Sequence, residues 1–151
     1  MLTLAVLSLV IPSPQEAESD RLLSEVYEVS ASRAELTRFA TACVNQHATS
    51  GWIDIPTIES SDPESGMIVA INHLAGEGLM GRDVRTTLTL EARDNRFRIA
   101  HSNFQLFGEW TLEWSPLTRS GGRWLRTQER LARQNVIIAD CVTRAAGDDD
   151  W

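Results

Sequence analysis

The chain has 151 residues, 42% hydrophobic and 23% charged, which suits one globular domain and excludes a disordered or fibrous protein. Its 21 acidic and 14 basic side chains give a formal net charge of -7, and every basic one is arginine. Such a chain repels a phosphate backbone, which disfavours nucleic-acid binding, and no apolar run reaches the roughly 18–20 residues of a membrane-spanning helix.

Leu2 to Ile11 is an apolar run of signal-peptide length, followed by Pro12, Pro14 and a polar stretch from Gln15 to Asp20. Residues 1–19 therefore read as a leader, although no basic residue precedes the run and no A-x-A triplet follows it. The alternative is an N-terminal strand or arm. Residues 21–30 are β-prone and read as a first strand. Ser32-Arg33-Ala34-Glu35 is a capping box, and the helix it opens carries Leu36, Phe39, Ala40, Cys43, Val44 and His47 on one face. Ser50 and Gly51 end it.

Ile53 to Ser60 and Met67 to Leu74 read as two strands separated by turn chemistry over residues 61–66. Gly76, Gly78 and Gly81 mark a loop. They do not have the order of a phosphate-binding loop, in which glycines follow a strand and open a helix. Val84, Thr86, Leu88, Leu90 and Ala92 then alternate with Arg85, Thr87, Thr89, Glu91 and Arg93, a half-buried strand. Asp94-Asn95 turns the chain, and alternation resumes from Arg96 to about Phe107. Residues 108–121, with Trp110 and Trp114, read as loop. A second helix is expected over residues 123–145, with Trp124, Leu125, Leu131, Ala132, Ile138, Ala139 and Val142 as its apolar stripe and Gln128 and Asn135 as interruptions. Residues 147–151 form an acidic tail.

The expected order is β-α-β-β-β-β-α, an α+β domain spanning residues 20–146. Alternating strands need cover on one face only, so the expectation is a curved antiparallel sheet with two helices on one face.

Several segments resemble a domain-of-unknown-function family of secreted Gram-negative bacterial proteins with a TATA-binding-protein-like (TBP-like) fold. The residues that carry the resemblance are Val26 to Val29 before the capped helix, Glu64-Ser65-Gly66-Met67-Ile68, and Leu88 to Arg98 followed by Asn103-Phe104. It covers roughly residues 21–107 and, more loosely, the last helix. The chain departs from the family at Asp94-Asn95, where Lys or Asp followed by Gly is commoner, and in the tryptophan-rich segment 110–114. The resemblance implies the fold and an exported, periplasmic or secreted location. It assigns no catalytic residue, no cofactor and no metal.

The residues themselves supply few sites. His73 and His101 fall on strands separated by a third, near 10 Å apart at ~4.8 Å per strand, too far to share a metal. Cys43 and Cys141 stand 98 positions apart and suit either one disulfide or two buried thiols. Cys43 with His47, four apart on one helix, offers a thiol–imidazole pair for a cryptic enzyme. The stronger reading is a non-catalytic binding module of the cell envelope. On the exposed sheet face Arg85, Thr87, Thr89 and Glu91 neighbour Arg96, Arg98, Ala100 and Ser102. Arginine forks bind carboxylates and phosphates, and Trp110 and Trp114 extend the platform or else cover the core.

Overall fold

A computed structural model describes residues 21–78 and 81–148. The leader and most of the acidic tail lie outside the described residues. Among the described residues, seven strands and two helices run in the order β1 (Leu22–Leu23), β2 (Tyr27–Glu28), α1 (Arg33–His47), β3 (Ile58–Asp62), β4 (Met67–Leu74), β5 (Val84–Arg93), β6 (Arg96–Phe107), β7 (Trp114–Pro116) and α2 (Gly121–Gly147).

All strands form one antiparallel sheet. β3, β4, β5 and β6 are neighbours in sequence order, and β1, β2 and β7 tile the remaining edge of β6. The fold is thus the expected α+β arrangement, an antiparallel sheet accompanied by two helices.

Three strand boundaries differ from the sequence expectation, and α2 extends two residues further at each end than expected. The first strand is two short pieces, because the Ser24 hydroxyl accepts a hydrogen bond from the Ile99 amide at 2.9 Å and forces an irregularity between them. β3 begins at Ile58, not Ile53. Pro56 lacks the amide a ladder needs, and Ser50 Oγ lies 2.6 Å from the Ile55 carbonyl oxygen, which folds residues 50–55 into a loop. β7 lies in a segment whose sequence reads as loop; its Pro116 is tolerated because an edge strand has one unpaired side.

α1 starts with the predicted capping box: Ser32 Oγ accepts from the Glu35 amide at 3.2 Å, and Glu35 Oε2 accepts from the Ser32 amide at 2.9 Å. The β5–β6 turn adds a second cap, with Asp94 Oδ1 accepting from the Arg33 amide at 2.9 Å. Asn95 sits at φ 65, the left-handed geometry a two-residue hairpin turn demands and asparagine tolerates.

Leu36, Ile68, Leu88, Leu90, Phe97, Ile99, Ile138 and Val142 form the main core between sheet and helices. Leu74, Val84, Phe104, Leu106, Leu117 and Leu131 form a second cluster near the start of α2. The expected stripe of α2 is corrected in detail. Leu125 and Ala132 are exposed, whereas Thr127 and Asn135 are buried. Asn135 is buried because His101 needs it: His101 Nε2 donates to Asn135 Oδ1 at 2.8 Å, and Thr86 Oγ1 lies 3.2 Å from His101 Nδ1. A reciprocal pair between Asn72 and Gln134, at 2.8 and 2.9 Å, ties β4 to α2 in the same way. Gln134 also donates to the His47 carbonyl at 3.1 Å, linking the two helices.

Cys43 and Cys141 are joined as a disulfide between α1 and α2, with Cα atoms 5.8 Å apart. Among the described residues no helix is long and apolar enough to cross a membrane.

Candidate functional site

The open face of the sheet is set by the strand register. Glu91 stands opposite Arg98, Thr89 opposite Ala100, Thr87 opposite Ser102 and Arg85 opposite Gln105. The register shifts once, between Arg85 and Thr87, where Asn103 takes φ 52. One extra residue there moves Phe104 and Leu106 to the covered face and Gln105 and Phe107 to the open one.

The expected face residues separate into two clusters. At the hairpin end, Glu91 accepts from both Arg98 Nε at 2.9 Å and Arg21 Nη2 at 3.0 Å. Partial burial pushes the Glu91 carboxyl up, but the two guanidiniums outweigh it and hold the acid below its ordinary range. Arg93 and Arg96 face each other beside this triad. A cavity of about 220 Å³ lies here, lined by Val26, Glu91, Arg93, Arg96, Phe97 and Arg98.

At the other end, the Arg85 guanidinium lies 4.4 Å from the Trp114 ring centroid while its Nε donates to Gln105 Oε1 at 2.6 Å. Phe107 and His73 pack around the same indole, with centroids at 5.2 and 6.1 Å. His73 Nε2 meets Asp83 Oδ2 at 2.9 Å. Thr87 and Thr89 lie half-buried between the clusters, opposite Ile71 and Val69 on β4.

The structure therefore brings Arg96 and Arg98 together, and Arg85 with Trp114, but does not gather all seven expected residues into one platform. Trp110 leaves the group. It is 98% exposed on the β6–β7 loop, so it neither covers the core nor packs on Arg85. Arg21 and Arg93 join the hairpin-end cluster beyond the residues the sequence singles out. Parity along β5 places Arg93 beside Arg96, a readable signal; Arg21 reaches Glu91 from 70 positions away and leaves no local trace.

The remaining candidates resolve on geometry. His73 is on the open face and His101 on the covered face, so the two point apart. Among the described residues no three histidine, cysteine or acidic side chains are grouped to hold a metal. Cys43 is 2% exposed and bonded to Cys141, which leaves no thiol for His47 to activate. The glycine segment does follow a strand, β4, but it opens β5 and not a helix.

No protein-family model matches the chain, and neither does any curated protein sequence. Solved structures do match. A TBP-like protein from Parabacteroides distasonis ATCC 8503 aligns with a TM-score of 0.58 and 13% identity, over 85% of this chain and 92% of that one. A DUF4468 family protein from Bacteroides ovatus ATCC 8483 aligns with a TM-score of 0.53 and 15% identity, over 84% and 85%. Function resides in sites and not in folds, so neither likeness brings DNA binding with it. At these identities the likeness is one of backbone, and the chain has the TBP-like fold that its sequence resemblance implied.

Proposed function

We propose that this protein is an exported, non-catalytic binding module whose open sheet face holds an anionic group of an envelope partner. One observation carries the reading. Arg93 and Arg96 stand directly opposite each other at the hairpin end, and among the described residues neither guanidinium is bonded to an acceptor, Glu28 opposite Arg96 on β2 included. Like charges in cross-strand register destabilise a sheet. A carboxylate or phosphate seated between the two would replace that repulsion with forked, charge-assisted hydrogen bonds. Val26, which is exposed, gives the same cavity an apolar edge. Export is supported independently by the Cys43–Cys141 bridge, since such bonds persist in oxidising compartments.

The test is a titration with a carboxylated oligosaccharide, oligogalacturonate, followed by amide chemical shifts. Shifts confined to the β5–β6 hairpin are expected, with affinity lost in Arg93→Ser/Arg96→Ser and the melting temperature equal to or slightly above that of the wild type. Undiminished affinity in that variant, or no shift at all, discards the reading. Export is checked by the intact mass of protein made from the full reading frame in a Gram-negative host. Cleavage after roughly 17–20 residues is expected, and a full-length product refutes it.

A further inference from the structure

A second cationic site lies away from the open sheet face. Arg82, two residues before β5, and Arg123, Arg126 and Arg130, on the first turns of α2, border a cleft of about 430 Å³. The three helix arginines follow an i, i+3, i+7 spacing that places them on one side of α2. Glu77 supplies the cleft's one acidic side chain among its described lining residues, and the backbone of Gly78 and Gly81 forms the opposite wall.

Two of the arginines already hold acceptors, Arg82 through one nitrogen and Arg130 through two. Arg82 Nε donates to the Phe107 carbonyl at 2.8 Å. Arg130 Nη1 donates to the Ala75 carbonyl at 2.8 Å, and its Nε lies 3.3 Å from Glu77 Oε1. Arg123 and Arg126 are bonded to no acceptor among the described residues. Four guanidiniums against one carboxylate, in a chain whose net charge is -7, make this an uncompensated pocket of positive charge. The first turn of α2 holds no acidic residue, so the helix dipole adds to the same field.

We infer that this cleft binds a phosphorylated small molecule. A single carboxylate would neutralise one of the surplus charges and occupy one fork. A phosphate or pyrophosphate group carries the two or more negative charges and the several acceptor oxygens that four guanidiniums address. The volume exceeds what one phosphate needs and falls within the roughly 300–1,000 Å³ range of small-molecule sites. The rest of the ligand would lie along Val84 and Thr127, which complete the wall. The site is separate from the hairpin-end cavity and stands or falls without it.

The experiment is calorimetric titration of the full chain with inorganic pyrophosphate, alongside thermal melts at fixed ionic strength. In the Arg93→Ser/Arg96→Ser background, which removes the hairpin-end anion site, one saturable site and a melting temperature raised by several degrees over matched sodium chloride are expected. Adding Arg123→Gln/Arg126→Gln to that background should weaken binding at least tenfold and abolish the shift. Arginine modification of the wild-type protein by phenylglyoxal, mapped by peptide mass, gives a readout that needs no variant to fold. Pyrophosphate should protect Arg123 and Arg126. An equal shift with sodium chloride, absence of protection, or binding to phosphatidylglycerol vesicles without binding to pyrophosphate would overturn the inference.

Discussion

On the covered face of the sheet, polar side chains meet other polar side chains: His101 has Asn135 and Thr86, and Asn72 has Gln134. On the open face the pairing is partial. Glu91 holds Arg21 and Arg98, Arg85 lies on Trp114, and Arg93 and Arg96 at the hairpin end hold nothing among the described residues. The two faces carry similar residue types under different physical rules. Beneath the helices a polar atom without a partner costs its full desolvation energy, so pairs are complete. Against water the same atom is already solvated and remains free to change partner.

The comparison is broken hardest on the covered side, through the bond that ties its helices together. Cys43→Ser/Cys141→Ser should cost about 4 kcal/mol by loop-closure reasoning for a 98-residue separation, read from urea unfolding. A loss below about 1 kcal/mol would mean that the unfolded chain is already constrained without the bond.

Acid attacks the covered face next. Burial drives the His101 imidazole down to about 4 from its ordinary 6.5, and the bond to Asn135 only partly opposes this. The unfolded chain therefore takes up the proton first. Its contribution to stability is whole above pH 6.5, falls as the pH drops toward 4, and is flat below that. The slope should approach about 1.4 kcal/mol per pH unit in that window, and His101→Gln should remove it. Identical pH profiles for the two proteins would show that His101 is not buried neutral.

Asn135→Leu sharpens the contrast at a single hydrogen bond. It leaves His101 Nε2–H without an acceptor and should cost about 1–3 kcal/mol in chemical denaturation. A neutral result would show that water reaches the ring. On the open face the corresponding cut is Glu91→Gln, which weakens the bonds to Arg21 and Arg98. Its expected cost is below about 1 kcal/mol, and less at high salt. A loss as large as that of Asn135→Leu would erase the distinction between the faces.

Much of the scaffold was legible because its signals are local. The Ser32–Glu35 box, the Asp94-Asn95 turn and the alternation from Val84 to Ala92 each reside within a few residues, and each appears where it was expected. Asn135 read as a blemish in an apolar stripe, since the partner that makes it a core residue lies 34 positions away. The irregularity at Asn103 reverses parity for the end of β6, and no residue pattern announces it. Arg85 and Trp114 were both named, but their stacking depends on β7, a strand hidden by its proline. The arginine cleft is hidden in the sequence for a related reason: the helix that the glycine segment faces begins some forty residues later.

The bond between Cys43 and Cys141 has a consequence beyond folding energy. It makes residues 43–141 a covalent ring that contains β3 to β7, the loop carrying Trp52 and Ile53, the glycine segment and the loop carrying Trp110. A protease that cuts any one of those loops once opens the ring without releasing a piece. Both fragments stay attached and packed until the sulfurs are reduced. Nicked at its most accessible loops, the molecule would still present both arginine-lined surfaces.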